Sequence, residues 1–280
     1  MPTALLVSPH LDDVAFSCGA AAAALAARGW DAHLVTVFTR TVPDPRGFAL
    51  ECQTSKGLPP DADYMALRRA EDAAAARALG ARPRWLAHVE APHRGYHSAP
   101  ALFAGVHAGD RDAWRPVHAD LAAIAGELEP ALVLAPQAIG GHVDHRHVVT
   151  AVARLAADRA HAGRPLAVAW YRDTPYVIRH PGALPPAPLA DPDAPLAELA
   201  LPAVPAALAA KLDACAAYAT QLGFQFGGEV AMREALTRLA AAEGTRLGRP
   251  GSPAEVVVAG PRAAAVLGRA LGAEPPGRSA

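Results

Sequence analysis

Hydrophobic positions arrive as short continuous runs in the first half of the chain, and longer stretches of helical period separate them. Ala4–Val7, Ala32–Phe38, Arg84–His88, Leu132–Ala135 and Ala167–Tyr171 are apolar or β-branched enough to predict strands. Cys18–Arg28 reads as a helix stopped by Gly29 and Tyr64–Leu79 as one stopped by Gly80; Val117–Leu128 and His145–Ala160 are two more. Strands that are apolar on both faces and alternate with helices predict a mostly parallel sheet covered on both sides. The expectation is a three-layer Rossmann-like α/β fold, with any ligand bound beyond the carboxyl ends of the strands.

The second half is less regular. From His180 to Pro205 the composition shifts to Pro, Ala and Asp and reads as a linker or surface excursion. Ala206–Leu222 and Glu229–Glu243 predict helices, Ala254–Ala259 a last strand, and the tail from about Gly272 is expected to fray. A Pro-, Gly- and Asp-rich loop runs from Thr39 to about Asp63. There is no internal repeat, so a single domain over 1–280 is expected: a core to residue 180, the excursion 181–205, and C-terminal helices with a final strand.

Composition narrows the function. With 52% hydrophobic and 19% charged residues among 280, the chain can bury a large core. A net charge of −1, with arginines scattered singly or in pairs, lacks the basic footprint of a nucleic-acid binder. The apolar run Gly19–Ala27 is too short for a bilayer span, and no basic segment precedes the first strand, so no signal peptide and a cytoplasmic location are expected. Cys18, Cys52 and Cys215 form no Cys-x-x-Cys pair and read as small buried hydrophobes. Any metal must then be held by histidine and carboxylate.

Two clusters carry that chemistry. Ser8-Pro9-His10-Leu11-Asp12-Asp13 follows the first strand, and one tight turn there could aim His10 and Asp13 at one ion with Asp12 beside it. Alone, this turn fits helix capping equally well. Gly140-Gly141-His142-Val143-Asp144-His145 follows the strand Leu132–Ala135, and a parallel sheet brings both strand ends to one edge.

The paired clusters resemble the LmbE-like, or PIG-L, family of zinc-dependent de-N-acetylases. Its first signature, His-Pro-Asp-Asp, reads here His10-Leu11-Asp12-Asp13, with Val14 where a Glu often follows; its second, His-x-Asp-His, is intact. Arg68-Arg69-Ala70-Glu71, Tyr171–Tyr176 and Lys211 with Tyr218–Gln221 are similar to later landmarks of the family, so the likeness spans about residues 4 to 260. The resemblance implies one Zn2+ on His10, Asp13 and His145; a His and carboxylate site is not strongly selective, so Fe2+ or another divalent metal could replace it. It implies Asp12 as general base, His142 as a protonated oxyanion stabiliser backed by Asp144, and Arg68 against substrate hydroxyls. It also implies a small-molecule N-acylated substrate, an amino sugar or a glycoconjugate of one.

Alternatives stay open beside it. Arg68 could instead pair with Glu71 on a solvated helix face. Arg172 and Asp173 could line the pocket or merely end a strand, and Lys211 and Gln221 read as structural contacts. Arg69 reads as surface and His147 as a bystander, and His88, His93 and His97 as scattered surface groups rather than a rival metal site. The loops Thr39–Asp63 and Ala91 to about Trp114 are the expected specificity elements. The proline-rich stretch could be the arm of a homo-oligomer. Another small amide, such as a thiol conjugate or an antibiotic intermediate, is the competing substrate class, and a metal-stabilised binding protein the competing function.

Overall fold

The structure is a computed structural model that describes residues 1–273 and 275. Strands β1 (Thr3–Ser8), β2 (Asp31–Thr36), β3 (Arg82–Trp85), β4 (Leu132–Pro136) and β5 (Val168–Tyr171) are parallel, and β6 (Ala197–Pro202) and β7 (Ala254–Ala259) extend the sheet antiparallel beyond β5. The seven strands stand in the order β3-β2-β1-β4-β5-β7-β6. Side chains alternate across them. Leu6, Leu34, Leu134 and Tyr171 pack under α1 (Asp13–Ala27), α3 (Tyr64–Leu79), α7 (Pro205–Ala216) and α10 (Pro261–Leu271), while Leu5, Val7, Val35, Val133 and Trp170 pack under α4 (Trp114–Leu128) and α5 (Val143–His161). This is the expected three-layer α/β architecture. The remaining helices are α2 (Phe48–Thr54), α6 (Tyr176–Arg179), α8 (Ala219–Phe226) and α9 (Glu229–Arg246).

The differences from expectation have local causes. β3 is Arg82–Trp85 rather than Arg84–His88; as an edge strand it tolerates Pro83 and two arginines, which disguise it in the sequence. β6 lies in the stretch read as a linker, and it too is an edge strand, ending at Pro202. The helix α2 interrupts the predicted loop. α10 follows the last predicted strand with Pro261 in its first turn and Gly272 as left-handed stop at φ 69°. α1 begins at Asp13 rather than Cys18 because it bends at Cys18 (φ −136°, ψ 27°). The tail read as frayed lies largely outside the described residues. Among the described residues no helix is long and apolar enough to cross a membrane.

Candidate metal and catalytic site

β1 and β4 are neighbours in the sheet, so the two clusters meet at its carboxyl edge. At the end of β1 the Ser8 hydroxyl donates to the His10 carbonyl (2.6 Å) and accepts from the Val14 N–H (3.2 Å). The His10 N–H donates to Asp13 Oδ2 (2.8 Å), which closes the turn and holds both side chains at one point. After β4, a loop with positive φ at Ala138, Gly140 and Gly141 delivers His142 as the cap of α5. α5 therefore starts at Val143, and His145 sits in its first turn.

His10, Asp13 and His145 each offer a ligand atom, all within 4.8 Å of one another. Asp13 Oδ2 stands 3.3 Å from both His10 Nδ1 and His145 Nε2. The far nitrogens are engaged: His10 Nε2 bonds Asp144 Oδ2 at 2.9 Å and His145 Nδ1 bonds Asp173 Oδ1 at 2.7 Å. His145 Nε2 is buried and has no hydrogen-bond partner. A buried orphan nitrogen facing a carboxylate, on a ring oriented by a second carboxylate, fits a divalent metal ion. Asp173 is itself fixed by accepting the N–H groups of Gln137 (3.1 Å) and Ile139 (2.9 Å). Asp173→Ala is expected to weaken divalent-metal binding by about 10–100-fold, checked by competition with a chromophoric chelator; unchanged affinity would remove Asp173 from the site.

Electrostatics separates the two neighbouring aspartates. Burial works to raise Asp13, but His145 and His10 hold its carboxylate down at about 2. Burial pushes Asp12 up to about 7 against the pull of Arg68, whose guanidinium lies 3.5 Å away. One carboxylate is a permanent anion; the other can take and return a proton near neutrality.

The expected backing of His142 is corrected. The Asp144 carboxylate turns to His10, to the Ala91 N–H (3.1 Å) and to Arg94 (2.7 Å), not to the His142 ring. Burial lowers His142 to about 3, and its Nδ1 accepts the Asp144 N–H at 3.2 Å. With Nδ1 accepting, a neutral His142 carries its proton on Nε2 and is a donor there. Asp144 holds His10 in place, and Arg94, which the sequence reading did not single out, ties it to Asp110 (2.9 Å).

A cavity of about 380 Å³ opens above these groups, lined by His10, Asp12, Asp13, His142 and Arg68 among others. Arg68 is buried and pairs with Glu90 (2.7 Å), so its pairing with Glu71 does not form; Glu71 instead accepts from the Thr220 N–H and hydroxyl. Both predicted specificity loops reach the cavity, through Phe48, Glu51, Cys52 and Lys56 on one and Ala99, Leu102 and Phe103 on the other. Gln221 also lines it, beyond its expected structural role. Arg69, read as surface, is half-buried and braces the Thr39 carbonyl (2.6 Å) and Thr41 hydroxyl (3.2 Å). His147, read as a bystander, is buried and bonds Asp110 (2.9 Å). Arg172 turns to Glu198 and Glu243, outside the cavity. His88 pairs with Asp120, and His88, His93 and His97 form no metal group among the described residues.

A model of the PIG-L family, described as GlcNAc-PI de-N-acetylase, matches residues 5–156. A 2′-N-acetylparomamine deacetylase of Streptomyces fradiae is 38% identical over 181 residues, which is 61% of this chain and 57% of that protein, so the match spans little more than half of the relative. Among solved structures, the zinc-inhibited form of teicoplanin deacetylase Orf2 superposes with a TM-score of 0.75 at 25% identity, covering 92% of this chain and 97% of the other. The A40926 pseudoaglycone deacetylase Dbv21 gives 0.74 at 27% identity, covering 93% and 98%.

Proposed function

This chain belongs to the PIG-L family of GlcNAc-PI de-N-acetylases, and on that premise we propose that it is a zinc-dependent hydrolase removing an N-acetyl group from an amino sugar carried on a small glycoconjugate. The observation that carries the reading is the split at the turn after β1: Asp13 stands 3.3 Å from both histidines, while Asp12 lines the cavity outside that group. A purely structural metal site needs neither a free base nor an open cavity. The acetylated amino-sugar substrate is supported by the activity named for the Streptomyces fradiae relative.

His10 Nδ1, Asp13 and His145 Nε2 would hold the ion. Bound there, zinc supplies Lewis acidity toward water and the amide carbonyl, easing deprotonation of that water near pH 7. Asp12 accepts the proton of the attacking water. His142 Nε2–H donates to the carbonyl oxygen as it becomes anionic, a neutral donor that needs no proton of its own from solvent. Asp12 then returns the proton to the departing nitrogen as the C–N bond breaks. Water supplies the oxygen of the released acetate and the hydrogens that complete acetic acid and amine. Arg68, anchored by Glu90 and by the Leu11 carbonyl (3.2 Å), braces Asp12 and lines the cavity, which supports a role toward substrate hydroxyls.

The test is metal content followed by acetate release from 2′-N-acetylparomamine, N-acetylglucosamine and an N-acetylglucosaminyl glycopeptide. The expected result is bound zinc and release from at least one compound, abolished by chelator and restored by zinc. Bound metal without acetate from any of them moves the reading to another acyl amide. A zinc-supplied preparation that holds no metal overturns it.

A further inference from the structure

The cavity lining mixes polar side chains, Glu51, Lys56, Arg68, Glu90 and Gln221, with aromatic rings. Tyr64 and Phe224 carry Lys56 at 5.1 and 5.2 Å, whereas Phe103 and Tyr176 gather around the histidines. These last two rings close a circuit with the two histidines of the second cluster. Phe103 lies 5.3 Å from His142, His142 5.5 Å from His145, His145 5.7 Å from Tyr176, and Tyr176 5.8 Å from Phe103, each pair edge-on.

Local backbone makes the circuit possible. A Cβ on Gly140, at φ +92°, would fall 2.7 Å from Tyr176 Cγ, so only glycine admits the tyrosine ring there. Phe103 ends a one-turn helix, Pro100–Phe103, in the insertion between β3 and α4. The residue is 42% exposed, so core burial does not explain why a large apolar side chain stands at the lip beside His142.

Resting on the hydrolase reading above, we propose that Phe103 and Tyr176 form the wall of the acyl subsite and restrict the hydrolysed group to acetyl. The amide oxygen faces His142, which sets the acyl carbon next to that ring. The sugar hydroxyls require the polar groups of the lining, because burial against Leu102 and Phe103 would leave them unpaired. The acyl methyl, held beside His142, meets Phe103 and Tyr176. Each added methylene must displace a ring already packed against two others.

The experiment compares kcat/KM for N-acetyl, N-propionyl and N-butyryl derivatives of paromamine (at the 2′-amine) and of glucosamine, using the zinc-loaded full chain. The wild type favours acetyl over butyryl by at least about tenfold, the scale of discrimination at a tight apolar wall. Phe103→Ala narrows that ratio about tenfold, Phe103→Leu gives an intermediate value, and Tyr176→Phe, which keeps the ring, leaves the ratio as it was. Should Phe103→Ala not fold, the Phe103→Leu ratio decides. Acetyl turnover with a ratio that Phe103 substitutions do not move, or a wild type that favours butyryl, overturns the wall and leaves the hydrolase reading standing. No acid released from any derivative or from the wider panel overturns both.

Discussion

Asp12→Asn lowers kcat by about 10²–10⁴-fold while metal content stays at the wild-type level, the loss expected when a positioned acid–base group is removed. The substitution keeps the size of the side chain but can no longer accept and return a proton. It does not touch the ligand set, because the converging atoms belong to His10, Asp13 and His145. It also spares the fold: Arg68 keeps Glu90 at 2.7 Å and the Leu11 carbonyl at 3.2 Å when Asp12 loses its charge. Asp13→Asn is the contrast, since it weakens the ligand that faces both histidines, and metal and turnover should fall together. Steady-state acetate release and metal analysis on both variants separate the roles. Turnover retained in Asp12→Asn would remove Asp12 as the base; metal lost from it would make Asp12 a ligand.

The site was legible because its chemistry is local to two strand ends. A single turn sets His10, Asp12 and Asp13, and parallel pairing of β1 with β4 brings His142, Asp144 and His145 to the same edge. What could not be read is which side chain each far nitrogen meets. Asp144 turns to His10 because Arg94 and the Ala91 N–H, both from the insertion after β3, draw it there. Asp173 reaches His145 from the end of β5, 28 positions away in the chain. Such partners are set by tertiary packing and leave no periodic trace. The parallel strands announced themselves as apolar runs, whereas β3 and β6, as edges, carry charge and proline and lose that signal. α10 was within reach, since Pro261 and Gly272 bracket it as start and stop.

The largest stability effect is expected at a buried ion pair behind the site. α1 bends at Cys18, so the N–H groups of Ala20 and Ala21 turn to a side chain from β7: Glu255 accepts them at 3.0 and 2.8 Å. Lys211 of α7 donates to the same carboxylate at 2.7 Å, with both side chains 4% exposed. The lysine stem reaches it across Gly19, where a Cβ would lie 3.0 Å from Lys211 Cγ. Lys211→Met keeps the stem's bulk and leaves the carboxylate buried without its counter-charge. That change should cost about 3–5 kcal/mol, a large share of a typical total of about 5–15 kcal/mol. The urea midpoint should fall with little change in slope. Adding Glu255→Gln should recover part of the loss, because no naked charge then remains. A single-variant loss below about 1 kcal/mol would mean that water reaches the pair and screens it. The consequence extends to the proposed function, since the segment before the bend carries Asp13, and the pair that holds the bend holds the proposed metal ligand.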